Sequence, residues 1–186
     1  MNADTGTNLV LIGMPSAGKS TVGVLAAKEL GMDFLDTDIL LQTLQGAQLQ
    51  TLIDRYGLTR FLQMEAEAVR TLDPTRTVIA TGGSVVYAQD AMLHLKRIGR
   101  IVYLEVPLAE LERRLGDASS RGIARREGQT LKELYAERIP LYERYADITV
   151  PFREGMGLAD VVAQLRESTC DLARERVLYP PDAMIQ

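Results

Sequence analysis

The chain has 186 residues, of which 46% are hydrophobic and 25% are charged, a composition typical of one globular domain with a substantial core. Its formal net charge of −4 argues against a nucleic-acid partner, because such partners usually require a basic face. The one cysteine, Cys170, excludes an intrachain disulfide and fits a reducing compartment. Neither a secretion signal pattern nor an apolar run of membrane-spanning length is recognisable, so we expect a cytoplasmic monomer that binds neither membranes nor nucleic acids.

The first predicted elements enclose a glycine-rich loop. Residues 9–12 form a short apolar run that predicts a buried strand, and helical spacing begins after residue 19 and continues to residue 30. Between them lies the pattern G-x-x-x-x-G-K-S/T, with its fixed positions at Gly13, Gly18, Lys19 and Ser20. A strand before this pattern and a helix after it make a chance match in a glycine-rich turn the weaker interpretation.

This loop has the residue types that a polyphosphate site requires. Glycines let backbone N–H groups approach the phosphates, and the following helix directs its positive end at the anion. Lys19 supplies a mobile positive charge for the β- and γ-phosphates, and the Ser20 hydroxyl suits Mg²⁺. We therefore predict nucleotide binding by residues 13–21, with Ser16, Ala17 and Thr21 among the contacts.

A second predicted strand, at residues 32–35, leads into two acidic residues. Asp36 and Asp38 follow it at the edge of the sheet where ligands bind in open α/β folds. One carboxylate is placed to hold the water shell of a metal, and the other to face an acceptor hydroxyl. The alternative is that Asp38 caps a helix that begins at residue 39, and both interpretations can hold for different members of the pair.

The next segment is mostly helical from residue 40 to residue 72, with Gly46 and Gly57 as interruptions. Glu65 lies on its apolar face and therefore requires a partner if it is buried. A third strand at residues 77–80 ends in a second glycine turn, which contains Gly82 and Gly83 and would let backbone N–H groups approach a ligand. Taken alone, two consecutive glycines favour the alternative, an ordinary tight turn.

The second half of the chain continues the alternation of strands and helices. Residues 117–129 are polar, glycine-containing and basic, which predicts a mobile lid that brings an arginine to the transferring phosphoryl group. Thr130 and Glu133 predict a capping box. The remaining predictions are helices at 89–97, from 107, from 130 to 145 and at 158–172, and strands at 101–104 and 147–150. This alternation predicts a parallel sheet that is covered on both faces.

The class of phosphate-loop protein follows from the other motifs. The sequence contains no N-K-x-D motif, and no strand ends in D-x-x-G, so a GTPase is disfavoured. Over residues 8–166 the chain resembles the shikimate kinase family. The matching segments, in order, are residues 13–21, 34–38 and 81–83, the lid from Ser119, and residues 138–142.

The resemblance implies a three-layer P-loop NTPase fold like that of the nucleoside monophosphate kinases. Its five-stranded parallel sheet would have the order 2-3-1-4-5, with helices on both faces and a lid. One kinase domain would span residues 1–172, with an acceptor-binding region at 38–72, and an irregular tail would follow at 173–186. The implied reaction uses ATP and Mg²⁺ to phosphorylate the 3-hydroxyl of shikimate.

The family's functional residues transfer to matching positions of this chain. Lys19 and Ser20 would serve phosphates and metal, Asp36 would orient Mg²⁺ through water, and Asp38 would contact the substrate hydroxyls as the candidate base. The other implied sites are Gly82 and Gly83 for the substrate, Arg138 for its carboxylate, Arg121 as the catalytic lid arginine, and Arg153, with Arg113 or Arg114, near the nucleotide.

Three departures from the family pattern fall in the acceptor and lid regions. The second arginine expected on the substrate carboxylate is Leu62, the third glycine of the second turn is Ser84, and the lid continues after Arg121 as Gly-Ile-Ala. Arg60 would lie on the far side of the helix; Arg55 would share the face of position 62. Besides shikimate kinase, the sequence therefore leaves open a kinase for another hydroxylated metabolite and a catalytically idle nucleotide-binding module.

Overall fold

The computed structural model describes residues 8–115 and 122–167. Five parallel strands form one sheet in the order β2-β3-β1-β4-β5, which confirms the predicted topology. All five residues of β1 and all four of β3 are buried, as expected for strands with packed layers on both faces. The strands are β1 (Asn8–Ile12), β2 (Asp33–Asp36), β3 (Thr77–Ala80), β4 (Gly99–Glu105) and β5 (Ile148–Pro151).

The helices alternate with these strands along the chain. They are α1 (Lys19–Leu30), α2 (Thr37–Gln45), α3 (Leu49–Arg70), α4 (Gln89–Ile98), α5 (Leu108–Leu115) and α6 (Leu131–Tyr145), with a 3-10 turn at Val85–Tyr87 and a further helix over residues 158–167. No helix in the described part of the chain is both long and apolar enough to cross a bilayer.

The predicted helical segment at 40–72 is divided in two. Gly46 ends α2 in the left-handed conformation, with φ 63°, and Gly57 interrupts α3 with φ 76° and ψ 164°. Glycine adopts both conformations without the clash that a β-carbon would cause. The acceptor region is therefore a helix pair, α2 and α3, joined by a short turn.

The start of α2 corrects one prediction. Asp36, and not Asp38, is its N-cap, because Asp36 Oδ1 accepts hydrogen bonds from the backbone of Asp38 (2.9 Å) and Ile39 (3.2 Å). Asp38 lies in the first turn and keeps its carboxylate for other contacts. At the other end of the chain, the predicted capping box of Thr130 and Glu133 at the start of α6 is confirmed.

A buried asparagine joins the amino-terminal ends of three strands. Asn8 donates to the backbone oxygens of Pro74 (2.7 Å) and Ile98 (2.8 Å), and its own side-chain oxygen accepts from Thr77 N (2.9 Å). This arrangement fixes the register of β1 between β3 and β4 at the amino-terminal ends of the strands. The loops that form the site lie at the opposite, carboxyl-terminal ends of the strands.

Candidate active site

The main cavity of the candidate site, which is not the largest space in the described structure, has a volume of about 390 Å³ and lies at the carboxyl ends of β1, β2 and β3. One side is the glycine-rich loop, and the other is α3 with the second glycine turn. Its polar lining includes Lys19, Ser20, Asp38, Glu65 and Arg138. Residues that are far apart in the chain and were predicted for phosphate, acceptor and carboxylate binding therefore open into one space.

The loop backbone has the conformation that a phosphate nest requires. Gly13 and Gly18 have φ values of 143° and 94°, and a β-carbon on Gly13 would lie 2.8 Å from the Leu104 carbonyl oxygen. Ser16, with φ 64°, is one of two described residues other than glycine in this region of positive φ. No described side chain caps α1, so its first amides remain available for an anion.

Lys19 lies over its own loop and is almost completely buried, with 8% of its surface exposed. Its Nζ donates to the carbonyl oxygens of Gly13 (2.8 Å) and Met14 (2.9 Å). Burial lowers the pKa of Lys19 to about 8, although the nearby Asp38 carboxylate raises it. A bound polyphosphate would provide negative charge next to this ammonium group and so stabilise its protonated form.

Ser20 and Asp36 form the part of the site that suits a divalent metal. Ser20 Oγ donates to Asp36 Oδ2 at 2.6 Å, while the other oxygen of Asp36 caps α2. A hydroxyl and a carboxylate are ligands that Mg²⁺ accepts, and it usually completes its shell with water and phosphate oxygens. The described residues contain no group of three or more His, Cys, Asp or Glu that could hold a metal alone.

Two carboxylates converge beside the second glycine turn. A β-carbon on Gly82 would lie 1.9 Å from Glu65 Oε1 and 2.7 Å from Asp38 Oδ1, so both groups face the position that glycine leaves open. Gly82 N donates to Thr37 Oγ1 at 3.0 Å, which fixes the turn. Burial is the main cause that raises the pKa of Asp38, and Lys19 opposes it.

The buried carboxylate of Glu65 is only partly satisfied by hydrogen bonds. Ser84 donates a hydrogen bond to its carboxylate, but Oε1 has no partner within residues 8–115 and 122–167, and only 3% of the residue is exposed. Burial raises its pKa to about 7. An arginine at position 62 would lie three residues earlier on the same helix, at a spacing that pairs charges; Leu62 offers no such partner.

The raised pKa of Glu65 predicts a stability change with pH. A carboxyl whose pKa rises from 4.5 to about 7 on folding destabilises the protein progressively as the pH rises through that interval. We expect Glu65→Gln to remove this loss. The stability advantage of the variant over the wild-type protein, measured as the free energy of unfolding in denaturant, should then be about 3 kcal/mol larger at pH 8 than at pH 5. Glu67→Gln is the matched control, since Glu67 is exposed on the same helix; equal pH dependence in all three proteins would contradict the prediction.

Arg138 is fully buried in α6 and reaches the cavity with one free end. Its Nε donates to Tyr87 Oη (3.1 Å), and its Nη2 donates to the Ala124 carbonyl oxygen (2.5 Å). Nη1 has no partner among the described residues, and a β-carbon on Gly83 would lie 3.1 Å from it. A buried cationic group with unused donors is suited to bind an anion.

The arginines suggested for the nucleotide occupy different places. Arg114 lies against the loop, where Nη1 donates to the Ala17 carbonyl oxygen (3.0 Å) and the guanidinium lies 4.6 Å from the centre of the Phe152 ring. Arg113 is largely exposed and paired with Glu110, and Arg153 is exposed outside the main cavity. The sequence had offered Arg114 only as one of two alternatives with Arg113.

Position 62 lies beside the main cavity. Leu62 lines a neighbouring surface groove with Tyr87, and Ser84 lines both spaces. Neither Arg60 nor Arg55 substitutes for the missing arginine: Arg60 is paired with Glu67 at 3.1 Å, and Arg55 lies over the Tyr56 ring. Among the described arginines, only Arg114 and Arg138 line the main cavity.

The predicted lid is described only in part. Arg121, the predicted lid arginine, lies outside the described residues, as does the predicted tail. Gly122, Ile123 and Ala124 line the cavity, and Ala124 is buried. The other two basic residues of the segment point elsewhere: Arg126 pairs with Glu137 at 2.5 Å, and Arg125 donates to the Gln129 carbonyl oxygen at 3.4 Å.

The sheet order, the phosphate loop after β1 and the acidic end of β2 define the chain as a P-loop kinase of the nucleoside monophosphate kinase type. Comparison with known proteins identifies its family. The family model "Shikimate kinase" matches residues 15–167. A shikimate kinase of Thermodesulfovibrio yellowstonii is 35% identical over 161 residues, which cover 85% of this chain and 92% of that protein.

Solved structures agree with this family. Shikimate kinase from Acinetobacter baumannii, in complex with shikimate, has a TM-score of 0.82 and 29% identity, and the match covers 90% of this chain and 95% of that one. Shikimate kinase from Aquifex aeolicus has a TM-score of 0.74 and 27% identity, with 93% and 99% covered. The chain belongs to the shikimate kinase family, and it is accordingly an ATP- and Mg²⁺-dependent small-molecule kinase.

Proposed function

We propose that this protein transfers the γ-phosphoryl group of ATP to the 3-hydroxyl of shikimate. The observation that carries the proposal is the single cavity into which Lys19, Asp38 and Arg138 all open. Shikimate has hydroxyls for a carboxylate base and a carboxylate for a guanidinium, and Asp38 and Arg138 supply these two groups to the lining of one cavity. The relative from Acinetobacter baumannii was solved in complex with shikimate.

The donor side would be formed by residues 13–21. The amides of the loop and of α1 would bind the phosphates, with Lys19 at the transferring group. Ser20 and Asp36 would hold Mg²⁺, directly or through water, and the metal would offset charge on the phosphate oxygens. Arg114 would support the loop through its hydrogen bond to the Ala17 carbonyl oxygen, and Arg153 would lie near the base of the nucleotide.

The acceptor side would position one hydroxyl for in-line attack. Asp38 would orient this hydroxyl and accept its proton, while the backbone of Gly82 and Gly83 would let the substrate approach closely. Arg138 would bind the substrate carboxylate through its free Nη1. Arg121 would act from the lid on the transferring phosphoryl group. Catalysis would consist mainly of positioning and electrostatic stabilisation.

A coupled ADP-release assay tests this function directly. We expect shikimate-dependent ADP release with MgATP and a higher kcat/KM for shikimate than for other hydroxy acids, such as quinate and gluconate. Higher kcat/KM for one of those acids would instead favour a kinase for another metabolite. Nucleotide binding without turnover of any acceptor would favour an idle module.

Leu62→Arg tests the acceptor assignment at the position that departs from the family. A second guanidinium near the carboxylate should strengthen shikimate binding by about 1.5 kcal/mol, because hydrogen bonds to charged groups contribute this much. We expect the KM for shikimate to fall about tenfold with little change in the KM for ATP.

Gln63→Arg is the control for Leu62→Arg, since it adds the same charge at the neighbouring exposed position. It should leave both KM values unchanged. An unchanged KM for shikimate in Leu62→Arg would show that position 62 is not equivalent to the family's arginine. A large rise in kcat for shikimate would indicate that the natural acceptor is another compound.

We further propose that residues 1–172 form one catalytic unit that acts as a cytoplasmic monomer. The chain's cysteine usage fits a reducing compartment, and its described residues already supply the phosphate loop, a carboxylate and a guanidinium to one cavity. Sedimentation of the purified protein with and without residues 173–186 tests the unit and its oligomeric state.

A further inference from the structure

Arg138 is held by contacts that the sequence did not suggest. Tyr87 follows the second glycine turn, and its oxygen accepts the hydrogen bond from Arg138 Nε at 3.1 Å. Its ring centre lies 5.1 Å from the guanidinium carbon, within the range of a cation–π contact. The side chain is half-buried between the glycine turn and α6.

The direction of these hydrogen bonds follows from chemistry. Arginine can only donate, so the Tyr87 oxygen accepts from Nε and its own proton is free for another acceptor. That acceptor is Glu137, whose Oε1 lies 2.6 Å from the Tyr87 oxygen. The hydrogen bond from Tyr87 is the main cause that lowers the pKa of Glu137, which keeps this carboxyl ionised as an acceptor.

Glu137 is in turn fixed by the carboxyl-terminal part of the predicted lid segment. Its Oε2 accepts from Gln129 Nε2 (2.8 Å) and from Arg126 Nη2 (2.5 Å). A continuous series of polar contacts therefore runs from residues 126–129 through Glu137 and Tyr87 to Arg138. Together with the Ala124 carbonyl oxygen on Nη2, it leaves Nη1 as the end of the guanidinium that faces the cavity.

We propose that Tyr87 is a positioning residue for acceptor binding: its hydroxyl fixes the rotation of the Arg138 guanidinium so that Nη1 stands beside Gly83, ready for the carboxylate of the acceptor. The inference rests on the proposed function. Among the described residues next to the second glycine turn, Arg138 supplies the guanidinium alone because position 62 is leucine, so its orientation is not shared with a second arginine there. Pre-organisation of such a flexible side chain increases affinity because less freedom is lost on binding.

Tyr87→Phe tests this role because it removes the hydroxyl and keeps the ring. Nε of Arg138 and Oε1 of Glu137 would both lose their partner, and the guanidinium would be free to rotate. We expect the KM for shikimate to rise about tenfold, with the KM for ATP and kcat changed less than about twofold. Preference for shikimate over its methyl ester should shrink in the same proportion, since only the former has a carboxylate.

Tyr135→Phe is the matched control. It removes a hydroxyl on α6 that makes no hydrogen bond among the described residues, and it should leave both KM values and the ester preference unchanged. A purely structural role for Tyr87 would lower the melting temperature, or affect both substrates alike, without changing the ester preference. That result would overturn the inference.

Glu137→Gln provides a second variant if Tyr87→Phe does not fold. The amide oxygen can still accept the proton of Tyr87, so the KM for shikimate should rise only about threefold, whereas Glu137→Ala should approach the effect of Tyr87→Phe. If the wild-type protein is active on shikimate but these variants have the same KM for shikimate, the inference is overturned and the proposed function still holds. A wild-type protein inactive on shikimate would overturn the proposed function, and this inference with it.

Discussion

Lys19→Met is expected to lower kcat for shikimate phosphorylation about a thousandfold, the loss typical of removing one preorganised group that stabilises transition-state charge. Lys19 is the buried cation of the phosphate loop, and its Nζ stands on the carbonyl oxygens of Gly13 and Met14. Methionine has a similar length without charge, so it fills the space but cannot interact with a phosphoryl oxygen. Affinity for MgATP should fall less than kcat, because the loop amides remain.

The fold should survive this substitution. Burial already lowers the pKa of Lys19 to about 8, which reflects an unfavourable environment for its charge. Removing that charge offsets the loss of two hydrogen bonds, so the free energy of unfolding should change by less than about 2 kcal/mol. Lys28→Met, at an exposed position in the last turn of the same helix, is the control and should retain full activity. Wild-type turnover in Lys19→Met would remove the phosphate loop from the mechanism.

The phosphate loop could be predicted because its requirements are local. Positive φ at Gly13 and Gly18, a buried strand before them and a helix after them all leave marks within a dozen residues of sequence. The alternation of elements likewise predicted a parallel sheet. The strand order did not follow from that alternation, because several orders satisfy the same right-handed connections, and it came from the family resemblance.

Contacts that depend on packing between distant segments were not predictable. Asp38 and Glu65 meet at Gly82, although Glu65 lies 27 residues after Asp38 and Gly82 lies 17 residues after Glu65. Their proximity depends on how α3 packs on the sheet. The signal in the sequence was a carboxyl on an apolar helix face, and it predicted burial without naming the neighbour. Tyr87 left no signal, because a tyrosine after a tight turn is ordinary. The sequence offered Asp38 as an N-cap only as the alternative to a functional role, since propensity alone cannot separate two aspartates two residues apart.

Asp38→Asn is the second substitution with a large expected effect, a fall in kcat of about a thousandfold. Asparagine keeps the shape and the position in the first turn of α2, but it cannot accept a proton from the attacking hydroxyl. Asp33→Asn is the matched control, because Asp33 is exposed at the amino end of β2, away from the cavity, and should leave kcat unchanged. Coupled ADP release between pH 5 and pH 9 is the measurement.

The residual activity of Asp38→Asn should report on the second carboxyl. Glu65 faces the same point beside Gly82, and burial raises its pKa to about 7, so it becomes an ionised base only above neutral pH. We expect the remaining rate to rise with pH through about 7 and to disappear in the double variant Asp38→Asn with Glu65→Gln. In the wild-type protein, burial raises the pKa of Asp38, and the Lys19 ammonium opposes that rise and favours the ionised carboxylate.

The outcome that would reverse the two roles is equally specific. If Asp38→Asn retained most of its turnover while Glu65→Gln alone lost it, the proton acceptor would be Glu65. Asp38 would then serve to hold the hydroxyl and to balance the charge of Lys19. That result would also explain the effect of leucine at position 62: no guanidinium within residues 8–115 and 122–167 forms an ion pair with Glu65, and its carboxylate remains basic enough to take a proton near neutral pH.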